Sequence, residues 1–172
     1  MGLPKKHEKI KLIVGFIFKN ENDLARAESI VFKKLGPLDY QSEIKEFTYT
    51  EYYGKEFGGN LKRKFISLKS IRFVEDIYKI KMTTNRIEKI LSRNKKRTVN
   101  IDPGYLTLGK LVLLTTKDHS HRIYLRSGIY AESTLRFQNG TYVPWETTYP
   151  DYTSKFYIEV FNKIRALYSK QI

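Results

Sequence analysis

Ile10-Lys11-Leu12-Ile13-Val14-Gly15-Phe16-Ile17-Phe18 is a nearly continuous apolar run, of the kind expected of a strand at the centre of a sheet. The period then changes. From about Asn22 to Leu35, the residues Leu24, Ala27, Ile30, Val31 and Leu35 recur at helical spacing. Asn20 or Asn22 can cap the start of this helix. Gly36-Pro37 stops it, because glycine accepts the left-handed position after the last turn and proline cannot continue. A second strand is expected around Glu43 to Tyr49 and a third from Lys62 to Leu68. A second helix is expected from about Phe73 to Leu91, with Ile77, Ile80, Ile87, Ile90 and Leu91 on its apolar stripe. A break near Thr83-Thr84 is compatible with the pattern. Asn94-Lys95-Lys96 reads as a turn, and Arg97 to Ile101 as a short fourth strand. The order βαββαβ is the split arrangement of ferredoxin-like folds.

Beyond this core, Asp102-Pro103-Gly104 reads as a turn. Tyr105 to Thr115, with Leu108, Leu111, Val112 and Leu114, fits a buried helix or a strand equally well. Two strands, His121–Leu125 and Ile129–Phe137, flank Arg126-Ser127-Gly128, a three-residue hairpin loop with glycine in the left-handed position. Trp145 to Tyr152 is an aromatic, proline-containing loop. Ser154 caps a last helix with Tyr157, Ile158, Phe161, Ile164 and Leu167 on its apolar stripe. The fold class is therefore α+β: one domain over residues 1–172, a ferredoxin-like βαββαβ core with an added antiparallel β-hairpin and a C-terminal helix.

Four stretches of the C-terminal half form a combination of motifs: Asn100-Ile101-Asp102-Pro103-Gly104-Tyr105, Thr116 to Leu125, Gly128 to Leu135, and Trp145 to Tyr152 with its Tyr149-Pro150-Asp151-Tyr152 core. Together with the Lys11–Gly15 strand and the Gly36-Pro37 turn, they resemble the bacterial family catalogued as domain of unknown function 4416. The resemblance spans nearly the whole chain. Glu146 and Thr147 after Trp145 depart from its more direct Trp-Thr-Tyr-Pro-Asp run. It implies no activity to carry over. GTP binding does not follow either, since the glycines of Tyr52-Tyr53-Gly54-Lys55-Glu56-Phe57-Gly58-Gly59-Asn60 lack the Gly-Lys-Ser/Thr triplet of a phosphate-cradling loop.

Composition narrows the chemistry. With no cysteine among 172 residues, disulfides, thiolate zinc sites and cysteine nucleophiles are excluded. No apolar run approaches the ~20 residues that span a bilayer, and the N-terminus lacks a secretory h-region, so a cytoplasmic protein without a membrane partner is expected. The net charge of +14 is concentrated: residues 61–100 hold thirteen Lys or Arg against three Asp or Glu. Such a segment attracts phosphate polymers, or is the solvated surface of a lysine-rich chain. Lys62, Arg63, Lys64, Arg72, Lys95, Lys96 and Arg97, with Tyr52, Tyr53 and Phe57 close by, are its candidates for nucleic-acid contact.

The second candidate region is the hairpin. A three-residue loop pairs Leu125 with Ile129, Tyr124 with Tyr130, Ile123 with Ala131, and Arg122 with Glu132. Alternation then turns Ile123, Leu125, Ile129, Ala131 and Leu135 to the core. Arg122, Tyr124, Tyr130, Glu132, Thr134 and Arg136 share the other face, where arginine forks suit phosphate or carboxylate. Arg122 and Glu132 also fit a plain cross-strand ion pair. Asp102, Tyr105, Asp118, Trp145, Tyr149 and Asp151 lie in flanking loops. The pocket reading takes Arg122, Tyr124, Tyr130, Glu132, Arg136, Tyr105, Trp145, Tyr149 and Asp151 as ligand contacts, with Glu132, Asp102 and His119 as candidate catalytic groups. His119 and His121 form His-x-His, but alternation turns His121 to the core face, away from Glu132, so no metal site is expected. The sequence points to no particular cofactor or oligomeric state. The expected function is binding of a nucleotide or phosphorylated metabolite in the 102–151 region. The alternatives are RNA binding through residues 61–100 and a protein-interaction role.

Overall fold

The computed structural model describes residues 2–49 and 54–172. The chain runs β1 (Ile10–Phe18), α1 (Glu21–Leu35), β2 (Leu38–Gln41), β3 (Lys45–Glu46), a single helical turn α2 (Gly54–Phe57), β4 (Lys62–Arg72), α3 (Tyr78–Leu91), β5 (Val99–Leu106), β6 (Lys110–Thr115), β7 (Ile123–Arg126), β8 (Ile129–Gln138), β9 (Thr141–Pro144), a 3₁₀ turn (Pro150–Thr153) and α4 (Lys155–Tyr168). The strands form one open antiparallel sheet in the order β2-β4-β1-β5-β6-β8-β7, with β3 also on β4 and β9 also on β8. The expected hairpin is thus part of the same sheet and not an appendage to a four-stranded core. Among the described residues no helix is long and apolar enough to cross a membrane.

β1 is buried from end to end because β4 and β5 pair with its two edges and helices cover both faces. Leu12, Val14, Phe16 and Phe18 pack with Leu24, Ala27 and Val31 of α1 and Ile77 and Ile87 beside and in α3. Ile13 faces the other way, into a cluster with Phe161, Ile164 and Tyr168 of α4. Lys11, the one charge in the run, is fully buried and paired with Asp39, and also donates to Gln171 Oε1 at 2.8 Å. Helix α1 is capped as expected, with Asn20 Oδ1 accepting from Asn22 N–H at 2.8 Å. α3 begins at Tyr78 rather than Phe73 and runs unbroken through Thr83-Thr84. Both threonine hydroxyls bond back to helix carbonyls, Thr83 to Lys79 and Thr84 to Lys81, so neither interrupts it.

The structure corrects four further expectations. The edge of β4 is paired twice, by β2 and by the two-residue β3, instead of by one strand over 43–49. Ser42 divides them, donating its N–H to Phe65 O and accepting Phe65 N–H at its hydroxyl. Asp102-Pro103-Gly104 is not a turn but the middle of β5. Pro103 is tolerated because β6 pairing starts only at Gly104, so its missing N–H faces no ladder partner. Tyr105 to Thr115 resolves as the end of β5, a turn and β6. The hairpin loop has two residues, Ser127 and Gly128, both with positive φ, and places Arg126 opposite Ile129. An irregularity at Leu125 then restores Tyr124 to Tyr130 and Ile123 to Ala131. Since β7 is the sheet edge, Ile123 is 72% exposed and Leu125 is also exposed, contrary to the core face expected of them. Tyr52 and Tyr53 lie outside the described residues.

Gly104 permits close β5–β6 packing: a Cβ there would lie 2.4 Å from the Val112 carbonyl oxygen. Gly104→Ala is expected to cost about 1–3 kcal/mol, the usual penalty of forcing atoms into a packed interior. Urea unfolding at unchanged m-value would record it, and a loss below ~0.5 kcal/mol would mean that the two strands part easily.

Candidate functional site

Two arginines leave water in this fold. Arg63 stands on β4 opposite Ile17 of β1, and Gly15, on the same strand, makes room for it. A Cβ on Gly15 would come within 2.9 Å of Arg63 Nη2. The guanidinium, about 1% exposed, lies 4.6 Å from the Phe65 ring centre and 5.5 and 5.7 Å from those of Tyr152 and Tyr157. It donates to the Tyr152 hydroxyl at 2.6 Å and to Asp102 Oδ2 at 3.3 Å. Its Nε and the Tyr157 hydroxyl are buried with no partner among the described residues. Burial opposes its charge, but Tyr152, Tyr157, Asp102 and Asp151 outweigh that and hold it ionised.

Asp102 extends the network. Its Oδ2 accepts from Asn100 Nδ2 at 2.7 Å, and Lys81 Nζ of α3 lies 3.7 Å from Oδ1. Asn100 Oδ1 accepts from Arg97 at 2.7 Å, and Arg97 grips Glu56 with two bonds of 2.8 and 2.7 Å. Above this, Ile101 has its N–H bonded to Glu88 Oε1 at 2.6 Å and its carbonyl to Lys81 Nζ at 3.1 Å. These two side chains of α3 stand in for the strand that β5 lacks there. Burial raises the Glu88 carboxyl above its ordinary range, against the pull of Lys81.

The second arginine is Arg122. Its Nε donates to Glu132 Oε2 at 2.6 Å, Nη1 to the Lys117 carbonyl at 2.9 Å, and Nη2 to the Tyr149 hydroxyl. Tyr149-Pro150-Asp151-Tyr152 joins the two centres: Tyr149 reaches Arg122, and Tyr152, on the 3₁₀ turn opened by Pro150, reaches Arg63. Asp151 is buried beside Arg63. Burial pushes its carboxyl up, Arg63 opposes this and Asp102 reinforces it. The Tyr149 hydroxyl is likewise raised by burial and by Glu132.

Of the residues expected in a hairpin pocket, Arg122, Glu132, Tyr149, Asp102 and Asp151 enter this one network. Arg122 and Glu132 are buried rather than arrayed on an open face, and each nitrogen of the Arg122 fork already donates to a protein acceptor. Tyr105 belongs instead to the core under α1 and α3. Arg136 lies 4.2 Å over the Trp145 ring, away from Arg122. Tyr124 and Tyr130 meet edge-on at 5.3 Å at the sheet edge. His121 faces Glu132, at 3.2 Å, instead of the core, because residues before Ile123 form a turn and strand alternation does not apply to them. His119 is exposed and stacks at 6.0 Å on His121. Among the described residues no group of three His, Asp or Glu is arranged to hold a metal.

The basic segment is not one patch either. Arg63 is interior. Lys62 pairs with Glu21 at 2.5 Å, Lys64 with Glu28 at 2.7 Å, Arg97 with Glu56, and Arg72 donates to the Leu35 carbonyl. Lys95 and Lys96 remain exposed. Asn100 and Tyr152 carry the network although the sequence marks them only as motif positions and not as site residues, Lys81 has no such mark, and Gly15 stands in place of a side chain beside Arg63. The network ends at an open cavity of about 590 Å³, lined by Lys19, Asn20, Asp23, Phe57, Lys62 and Arg97 together with Glu21, Glu56 and Thr98.

Two measurements bear on this network. Arg122→Leu strands the buried Glu132 and should cost about 3–5 kcal/mol, whereas Arg122→Leu/Glu132→Leu should cost less than the single change. Additive losses in urea unfolding would deny that the two form a unit. Asp151, with its pKa raised on folding, contributes stability that is full below the unfolded carboxylate range and is lost as pH rises through the shifted value. Asp151→Asn should therefore gain on the wild type near neutral pH and lose that advantage as the pH falls below the carboxylate range. A difference independent of pH would contradict it.

No curated protein and no solved structure matches the chain. The family model described as a domain of unknown function (DUF4416) matches residues 8–168 of the 172, and the chain belongs to that family.

Proposed function

We propose that the protein binds a nucleotide or another phosphorylated metabolite in the cavity between the start of α1, the α2 turn and the residues just before β5. The observation that carries this reading is the cavity itself: its size falls in the range of small-molecule sites, and one wall is Arg97, fixed by the network that runs back to Arg63. Each carboxylate on the wall already has a cation, Glu21 with Lys62, Asp23 with Arg93 and Glu56 with Arg97. Lys19 makes no ion pair among the described residues, so an added anion meets net positive charge. Phe57 offers an apolar ring for a base, and the carboxylates offer acceptors for sugar hydroxyls. The first turn of α1 is closed by its own Asn20 cap and by Glu21 and Asp23, so the lysines rather than the helix end would hold a phosphate. The residues of the 102–151 region stand behind this cavity as its support, with Asp102 about 27% exposed.

The architecture around the cavity is read as a ferredoxin-like core. The antiparallel order β2-β4-β1-β5, with α1 and α3 packed on one face, supports that reading. A protein-interaction role draws support from one feature, the edge strand β7 with Ile123, Tyr124 and Leu125 exposed.

A thermal-shift screen against nucleotides and phosphorylated metabolites tests the cavity. A ligand at ~100 times its Kd stabilises the fold by about 2.7 kcal/mol. The shift is expected to vanish in Lys19→Ala/Lys62→Ala and to persist in Arg136→Ala. A shift lost in Arg136→Ala alone would move the site to the Trp145 side, and no shift with any compound would end the proposal.

A further inference from the structure

We infer that the ligand of this cavity is the terminal nucleotide of a single-stranded nucleic acid, and that the turn Arg93-Asn94-Lys95-Lys96 carries the phosphates next to it. The inference rests on the cavity being a nucleotide site and adds the substrate class. Three observations lead to it.

The turn is tight and unusual. Arg93 and Lys96 exchange both backbone hydrogen bonds at 2.9 Å. Asn94 and Lys95 both take left-handed backbone, with φ of 50° and 64°. Asparagine adopts that region readily and lysine rarely. The conformation turns the chain within two residues and leaves Lys95 and Lys96 exposed, with no ion pair among the described residues.

The turn is also bolted to the cavity at both ends. Arg93 Nη2 bonds Asp23 at 2.7 Å, and Arg97, the next residue after the turn, grips Glu56. Both acids line the cavity. The two uncommitted lysines therefore sit on a turn tied at both ends to acids of the cavity wall. Within the cavity and turn, the acids Glu21, Asp23 and Glu56 are cancelled by Lys62, Arg93 and Arg97, which leaves Lys19, Lys95 and Lys96 as net charge.

Finally, the cavity suits a strand end. A cavity of about 590 Å³ is large enough for one nucleotide. Phe57, with the Arg97 guanidinium 5.5 Å from its centre, supplies the aromatic and cationic platform that single-stranded binding uses. Lysines beyond the cavity then track the backbone, without base-specific readout.

The test compares the full chain binding ten-residue oligouridine and oligothymidine, labelled at one end, with UMP and TMP, by anisotropy and thermal shift at several salt concentrations. Lys95→Ala/Lys96→Ala alters two exposed side chains and should fold normally. The oligonucleotides are expected to bind at least about tenfold tighter than the mononucleotides. The double variant should lose that excess and flatten the log–log salt slope by about 1.4, at ~0.7 per phosphate, while mononucleotide affinity holds. RNA binding better than DNA would assign the carboxylates to the 2′-hydroxyl, and equal binding would assign the site to the shared backbone; both outcomes support the inference. Oligonucleotides no tighter than mononucleotides, or an excess that survives the double variant, would overturn it and leave the cavity proposal standing. Failure of both ligand classes to bind would remove the two together.

Discussion

A guanidinium withdrawn from water keeps its charge, and its surroundings must then supply the hydrogen bonds and the field that water supplied. For Arg63 those surroundings come from five elements of the chain. Gly15 of β1 yields the space, Phe65 of β4 and Tyr157 of α4 supply ring faces, Asp102 of β5 supplies the counter-charge, and Tyr152 of the 3₁₀ turn supplies an acceptor. Removing any one leaves a buried cation short of a partner. Tyr157 of α4 and the polar residues along β5 meet at this one side chain.

The polar network lies within a sandwich that is otherwise apolar, with one hydrophobic cluster under α1 and α3 and another under α4. Low polarity strengthens each bond in such a network and makes each broken one expensive. Tyr149-Pro150-Asp151-Tyr152 gains its importance from this. A short segment spans two arginine–carboxylate pairs, and Pro150 fixes the turn that keeps its two phenols apart at the right spacing. The cavity inherits that order through Arg97, which is held by Asn100 and Glu56 instead of swinging in solvent.

What could be read directly from the sequence was what local signals determine. β1 declared itself by its apolar run, α1 by the Asn20 cap and the Gly36-Pro37 stop, and α4 by Ser154 and its stripe. β6 did not, because the four apolar residues Leu111 to Leu114 satisfy a helix and a buried strand alike. β9 had a strong mark, Asn139-Gly140, which forms a tight turn with φ of 51° and 82° and passed unread. The Tyr149-Pro150-Asp151-Tyr152 segment and the Arg122–Glu132 pair were recognised, but not their burial, since that depends on a loop folding back over β8. Arg63 misled because Lys62 and Lys64 beside it do point outward; its inward direction is set by Gly15, far away along the chain. Long-range pairing of this sort leaves little trace in one sequence.

The sealing of Ile101 by Glu88 and Lys81 has a consequence for how the protein opens. The amide and carbonyl of a strand residue are ordinarily protected by the neighbouring strand and become exposed when the sheet frays. Here they are protected by a helix. α3 cannot lift without uncovering the backbone of β5 at Ile101, and it takes with it the lysine beside Asp102. Helix and strand are therefore expected to open as one cooperative unit in native-state hydrogen exchange, with the Ile101 amide exchanging at the rate of α3 and not at that of β6. Events at the outer surface of α3 are in this way joined to the carboxylate at the centre of the molecule by a lever two side chains long.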